Sequence, residues 1–362
     1  FGSRATGSSR IHGHQIHEEF LRQQIDSRLL VAPPQDVQCY DLPWSNPESL
    51  AASPLFQPGD TVIFETVRGE RALSFARHLR ERGINVCFLE CDLYPESQLA
   101  DLATSLICTS NRLAEELRRR HPQALITMIP DPVEALLDPA DLPLRARNET
   151  RGLRIAWMGQ AAHWSTLAPL REIFREPEFK DFEFTTLSNH SQADLLWSSE
   201  TALSLLRSSD LLVVPVDNSP QALAKSANRV VQGMALGSVV LAGDLPAYQE
   251  VIESGTNGYL CRTPDDWRQA LRAVRDVANG TRARHVLGQI EVVHAGFACG
   301  ARDLQRQVVG RRAQHRELAT ERGPKRGRVA DIEAQVDSRD GRDAPFDFAS
   351  IPASASAERS AS

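Results

Sequence analysis

The sequence predicts an α/β protein built as two parallel-sheet domains that face each other across a cleft. Three observations carry this reading. Short apolar runs alternate with helical patterns in two successive stretches, the mark of βα units. A segment rich in proline and charge, DPADLPLRARNETRG (138–152), separates the two stretches. The 362 residues also exceed one ordinary hydrophobic core.

In the first stretch, TVIFETV (61–67), NVCFLECD (85–92), SLICTS (105–110) and ALITMIP (124–130) read as buried strands. Between them, ERALSFARHLRERG and NRLAEELRRRH carry helical periodicity and close on glycine or a basic last turn. The second stretch repeats the theme with strands LRIAWMG (153–159), FEFTTLS (182–188), DLLVVPV (210–216) and SVVLAG (238–243). Its helices are TALSLLRSS, SANRVVQGMAL and DDWRQALRAVRD. The expected domains are 1–150, 151–299 and, from 300 to 362, a tail of small and charged residues that reads as mostly disordered. The chain opens at Phe1 without methionine, so its start is expected to be truncated.

Composition narrows the function. A net charge of −6 gives no general attraction to phosphate backbones, so nucleic acid is not an expected partner. No apolar run approaches membrane-spanning length. The six cysteines, Cys39, Cys87, Cys91, Cys108, Cys261 and Cys299, form no CxxC pair. Most lie in strand-like runs and read as buried thiols, which fits a reducing cytoplasm. Contact with the inner face of a membrane stays open.

One helix concentrates the chemistry. Lysine is scarce, occurring only at 180, 225 and 325. Lys225 stands at the mouth of the segment KSANRVVQGMALG, where Ser226 is the expected N-cap and Gly237 the expected C′ residue, framing a helix over 227–236. Ala227, Val230, Val231 and Met234 form an apolar stripe at i, i+3, i+4, i+7. Opposite it run Lys225, Asn228, Arg229 and Gln232, a polar line without an acid. Such a face is either solvated or lines the cleft. Cations and amides near a helix N-terminus suit an anion, and Gln232 can both donate to and accept from sugar hydroxyls. The segment LAGDLPAYQEVIESGTNGYL adds Asp244 after a strand, Glu250 in a short helix and a glycine-rich turn, where a diphosphate can approach backbone amides.

These segments, together with SSRIHGHQIHEEF near the start and MIPDPVEAL at the end of the first stretch, resemble the GT-B glycosyltransferases, particularly the family-four-like retaining enzymes. The resemblance runs in order over residues 1–295 and centres on 205–262. It implies two Rossmann-like domains and transfer of a sugar from a nucleotide diphosphate donor, of UDP or GDP type, to a glycan, lipid-linked or small-molecule acceptor. It implies no cofactor beyond that co-substrate and no metal. Lys225 and Arg229 would be the catalytic electrostatic pair. Gly159, Asn228, Gln232, Gly237, Asp244 and Glu250 would bind the donor. Three departures stand out: Gln232 replaces the usual acid, Ala224 replaces an earlier one, and QAAHWSTLAP follows Gly159 in place of the usual basic residues.

On the acceptor side the expected residues are Ser9, Arg10, Glu65, Asp92 and His163. His12, His14 and His17 read as a solvated or acceptor-facing cluster lacking an adjacent further ligand. Trp157, Trp164 and Trp197 read as core or interface residues. Two other classes remain open: a catalytically weak GT-B homologue acting as a scaffold in surface-glycan assembly, and another two-domain nucleotide-sugar enzyme such as an epimerase. The arginine-rich usage points to a bacterial source.

Overall fold

The computed structural model describes residues 4, 6–30, 41–94, 98–134 and 152–279. The predicted tail and most of the predicted linker lie outside them.

Two parallel sheets organise the chain. The first holds β1 (Thr61–Glu65), β2 (Asn85–Glu90), β3 (Ser105–Cys108) and β4 (Ile126–Met128), paired in chain order. Its faces follow the period of two: Val62, Phe64, Val86 and Phe88 pack with the helix Glu70–Glu81, while Cys87 and Leu89 pack with Phe20 on the other side. Phe75 receives Phe56, Phe64 and Trp44 edge-on, an aromatic cluster that anchors this core.

The second sheet holds β5 (Arg154–Met158), β6 (Glu183–Ser188), β7 (Leu195–Leu196), β8 (Leu211–Val214), β9 (Val239–Gly243) and β10 (Gly258–Cys261). Their order is β10-β9-β8-β5-β6-β7, all parallel. Ile155, Trp157 and Val213 face one core, and Ala156, Met158 and Leu212 the other. Chain order reverses between β5 and β8, which makes their carboxyl ends the topological switch point where open α/β sheets bind ligands.

The predicted strands are all present, generally shorter than predicted. β7 and β10 are additions. β7 is two exposed leucines, and β10 is short and begins on Gly258, so neither shows an apolar run in the sequence.

Near the N-terminus, Ser9–Gln15 forms a π-helix that continues into the helix Ile16–Arg22. The wide turn buries Ser9, Arg10, His12 and His14 together. Single π turns of this kind concentrate at functional sites. The solvated alternative for His12 and His14 is therefore corrected: both are 8% exposed.

The polar line sits on the helix Asn228–Ala235. Its apolar stripe packs as predicted, with Val230 and Met234 in the core beside the sheet and Val231 fully buried. The cap is different. Ala227, not Ser226, precedes the helix, because the Ser226 hydroxyl donates to the Asp131 carboxylate of the other half of the chain. Gly237 closes the helix in the left-handed region (φ 78°), as a C′ glycine does.

Gly233 lets this helix lie close on the strands. A β-carbon there would meet Leu212 Cδ2 at 2.4 Å and Val240 Cγ2 at 3.1 Å. Gly233→Ala should therefore cost about 1–3 kcal/mol through overpacking, despite alanine's better helix propensity, and a lowered urea midpoint would report it.

Candidate functional site

The nine residues from Ala224 to Gln232 meet the carboxyl ends of the first sheet's strands one after another. The Ala224 carbonyl accepts the Ser110 hydroxyl, which follows β3, at 2.6 Å. Lys225 pairs with Asp92, which follows β2. Ser226 bonds Asp131, and Gln232 Nε2 donates to Glu134 Oε1 at 2.9 Å, both acids lying beyond β4. Opposite edges of two parallel sheets are thereby joined through polar side chains, and the expected donor-side and acceptor-side residues come together.

Arg229 occupies the switch point. Its guanidinium reaches the Met158 carbonyl, at the end of β5, at 3.4 Å and has no carboxylate partner among the described residues. Gly159 follows directly. A side chain there would strike the Trp157 ring at 2.7 Å, so glycine keeps the β5 exit open. His163, on the short 3-10 helix Ala161–Leu167, lies half-buried near both cations. Burial first, then Arg229 and Lys225, hold its pKa below the ordinary value.

Asn228 and Gln232 form an amide pair. Gln232 Nε2 donates to Asn228 Oδ1 at 2.9 Å as well as to Glu134, so both amide hydrogens are used. That orientation turns the Gln232 carbonyl oxygen away from those partners, and Asn228 Nδ2 is buried without a partner among the described residues. Glu134 is also gripped by Arg10, whose Nε and Nη2 donate to its two oxygens at 2.7 and 2.9 Å. Arg10 stacks over Trp197 from the second half, with 5.2 Å to the ring centre. Of the two readings the sequence left for Trp197, core or interface, this contact between the halves matches the second.

On the first sheet, Ser9 Oγ donates to Glu65 at 3.4 Å, both side chains being buried at the end of β1. His12 Nε2 lies 2.6 Å from Asp131 Oδ1. Burial alone would lower the His12 pKa, but the adjoining Asp131 carboxylate outweighs it and leaves the imidazole above its ordinary value. The Glu90 carboxyl is pushed up to about 7 by burial, against the pull of Arg68.

Three expected donor residues lie apart from this group. Gly237 ends the helix about 13 Å from its start, since each residue rises 1.5 Å. Asp244 accepts from Gln249 at 2.8 Å and pairs with exposed Arg262. Glu250 accepts from Asn111 Nδ2 at 3.0 Å, a bond that closes the two halves next to Ser110. Sequence reading missed Asp131 and Glu134, and read Cys91 as more a buried strand thiol than a ligand. Asp131 and Glu134 lie in MIPDPVEAL, where acids following a strand end are the available signal, but the partners are 95 to 124 residues away.

Comparison with solved structures decides the architecture. The chain superposes on the catalytic domain of starch synthase IV from Arabidopsis thaliana bound to ADP and acarbose with a TM-score of 0.53, at 11% identity over 73% of this chain and 75% of that one. A glycosyltransferase from Rickettsia africae gives 0.52, at 12% identity over 81% and 87%. The chain has the GT-B fold. A GtfA/B complex chain gives a TM-score of 0.52 at 10% identity, and this GT-B chain covers 74% of itself and 60% of that one in the match. No family model matches the sequence, and no curated protein does.

Two outcomes are expected at this GT-B cleft. Ring-proton NMR of His163 should show its pKa rising toward 6.5 in both Lys225→Ala and Arg229→Ala, because each removes a cation that disfavours imidazolium. Gln232→Glu should lose about 1–3 kcal/mol, since it sets a second buried carboxylate against Glu134. Adding Glu134→Gln should recover part of that loss, and a thermal-melt double-mutant cycle measures the coupling.

Proposed function

We propose that this GT-B protein is a glycosyltransferase that moves a sugar from a nucleotide diphosphate donor, of UDP or GDP type, to a glycan, lipid-linked or small-molecule acceptor. The observation that carries the reading is Arg229. A guanidinium without a carboxylate partner among the described residues stands at the switch point of the second sheet, beside Gly159 and next to a lysine that precedes the same helix.

The mechanism follows from charge. As the glycosidic bond to the donor breaks, the electron pair leaves with the diphosphate, and negative charge grows on its oxygens. In this reading Arg229 and the N–H groups opening the helix Asn228–Ala235 stabilise that charge, and Lys225 joins them on leaving Asp92. In this reading the cations do for the diphosphate what a metal does elsewhere. Asn228 Nδ2 and the Gln232 carbonyl oxygen are the donor and acceptor left for the ribose or phosphate. Glu134 restores the negative charge that Gln232 lacks, which accounts for glutamine where the resembling enzymes carry an acid. Asp92, Glu65 and Ser9 form the acceptor wall, and retention of configuration is part of the proposal.

The scaffold alternative draws support from one observation: both Gln232 amide hydrogens are already taken by protein groups. Binding and turnover separate the two readings.

Calorimetric titration with UDP and GDP should show one-to-one binding. Lys225→Ala and Arg229→Ala should each weaken it tenfold or more, consistent with bonds of roughly 1.5–3 kcal/mol to charged groups. Melting temperatures should stay near that of the unmutated protein. No binding by the unmutated protein refutes the enzyme reading, and binding without sugar hydrolysis or transfer supports the scaffold.

A further inference from the structure

One carboxylate of the proposed acceptor wall, Glu65, also belongs to a second group of side chains. One ring nitrogen of His12, a carboxylate oxygen of Glu65 and the thiol sulfur of Cys91 all lie within 4.8 Å of one another. They come from the π-helix, the end of β1 and the residue after β2, so three separate elements converge on one spot. His12 and Glu65 are 8% and 6% exposed.

The imidazole shows how the group is polarised. His12 Nε2 is engaged by Asp131 at 2.6 Å, while Nδ1 is buried and has no hydrogen-bond partner among the described residues. A buried ring nitrogen without a partner is costly unless something accepts or replaces its proton. Imidazole held by a carboxylate on one nitrogen, with the other left for an ion, is the arrangement that orients metal-binding histidines.

We propose that His12, Glu65 and Cys91 form a binding site for a divalent cation of the zinc class, with Asp131 as the positioning residue behind His12. The ligand set chooses the metal. Imidazole and thiolate suit zinc or cobalt, whereas magnesium and calcium take oxygen ligands. Three protein ligands leave a fourth position for water or a hydroxyl, as in zinc sites that are not purely structural. Zinc–ligand bonds of about 2.0–2.3 Å place tetrahedral ligand atoms roughly 3.3–3.6 Å apart, so the three side chains need to draw together by no more than about an ångström on binding. The Cys91 proton leaves to solvent as the thiolate bonds the metal. The ion lies on the first sheet, separate from the cations proposed for the diphosphate, and its existence does not depend on donor binding.

Cobalt(II) titration of the full chain, stripped with chelator, tests it directly. A thiolate-to-cobalt charge-transfer band should saturate at one equivalent and disappear on adding zinc. Cys91→Ser should abolish the band, and Asp131→Asn should weaken binding about 10- to 100-fold while keeping the band shape. Should Cys91→Ser fail to fold, as judged by circular dichroism, His12→Gln gives the same reading through at least a tenfold loss of affinity. Absence of the band in the unmutated protein overturns the proposal. So does a band that survives Cys91→Ser, or an affinity unchanged in His12→Gln.

Discussion

The contact on which the rest depends is the pairing of Lys225 with Asp92. Neither group belongs to a strand or helix core. Each stands just past the carboxyl end of an element, in the narrow zone where the two parallel sheets present their strand ends to each other. Around it, Ser110, Asp131 and Glu134 repeat the pattern, each meeting a residue of the 224–232 segment. Such partly buried polar bonds add little net stability in folding, because water is given up to make them. Their effect is positional: they set the register between the two sheets.

That register explains the local irregularities. Ser226 does not cap the helix because its hydroxyl serves Asp131, so the helix begins one residue late. The π-helix gathers Arg10 and His12 on one buried side, where Arg10 meets Glu134 and His12 meets Asp131. Gln232 spends one amide hydrogen on Glu134 of the other half, at 2.9 Å. Local rules are set aside where the opposite half imposes a partner.

This is also where the sequence stopped being legible. Strands buried on both faces announce themselves as apolar runs, and β1, β2, β5, β8 and β9 could be read that way. Val230, Val231 and Met234 located the sheet-facing side of the 228–235 helix by spacing alone. β7 could not be read, since Leu195 and Leu196 are exposed and too few to form a pattern. Asp131 and Glu134 could not be assigned either, because their chemistry is set by residues about a hundred positions away. Gly237 and Asp244 belong to well-read segments: Gly237 closes its helix as predicted, but that Asp244 holds Arg262 is not visible in a linear motif.

The Lys225–Asp92 pair gives the cleft an internal competitor. A diphosphate arriving at Lys225 would take over the lysine's charge and release the Asp92 carboxylate toward the first sheet. The acceptor wall would then gain a free anion only after the donor is in place. On the proposed function, one shared ion pair would then order the substrates: donor first, acceptor second.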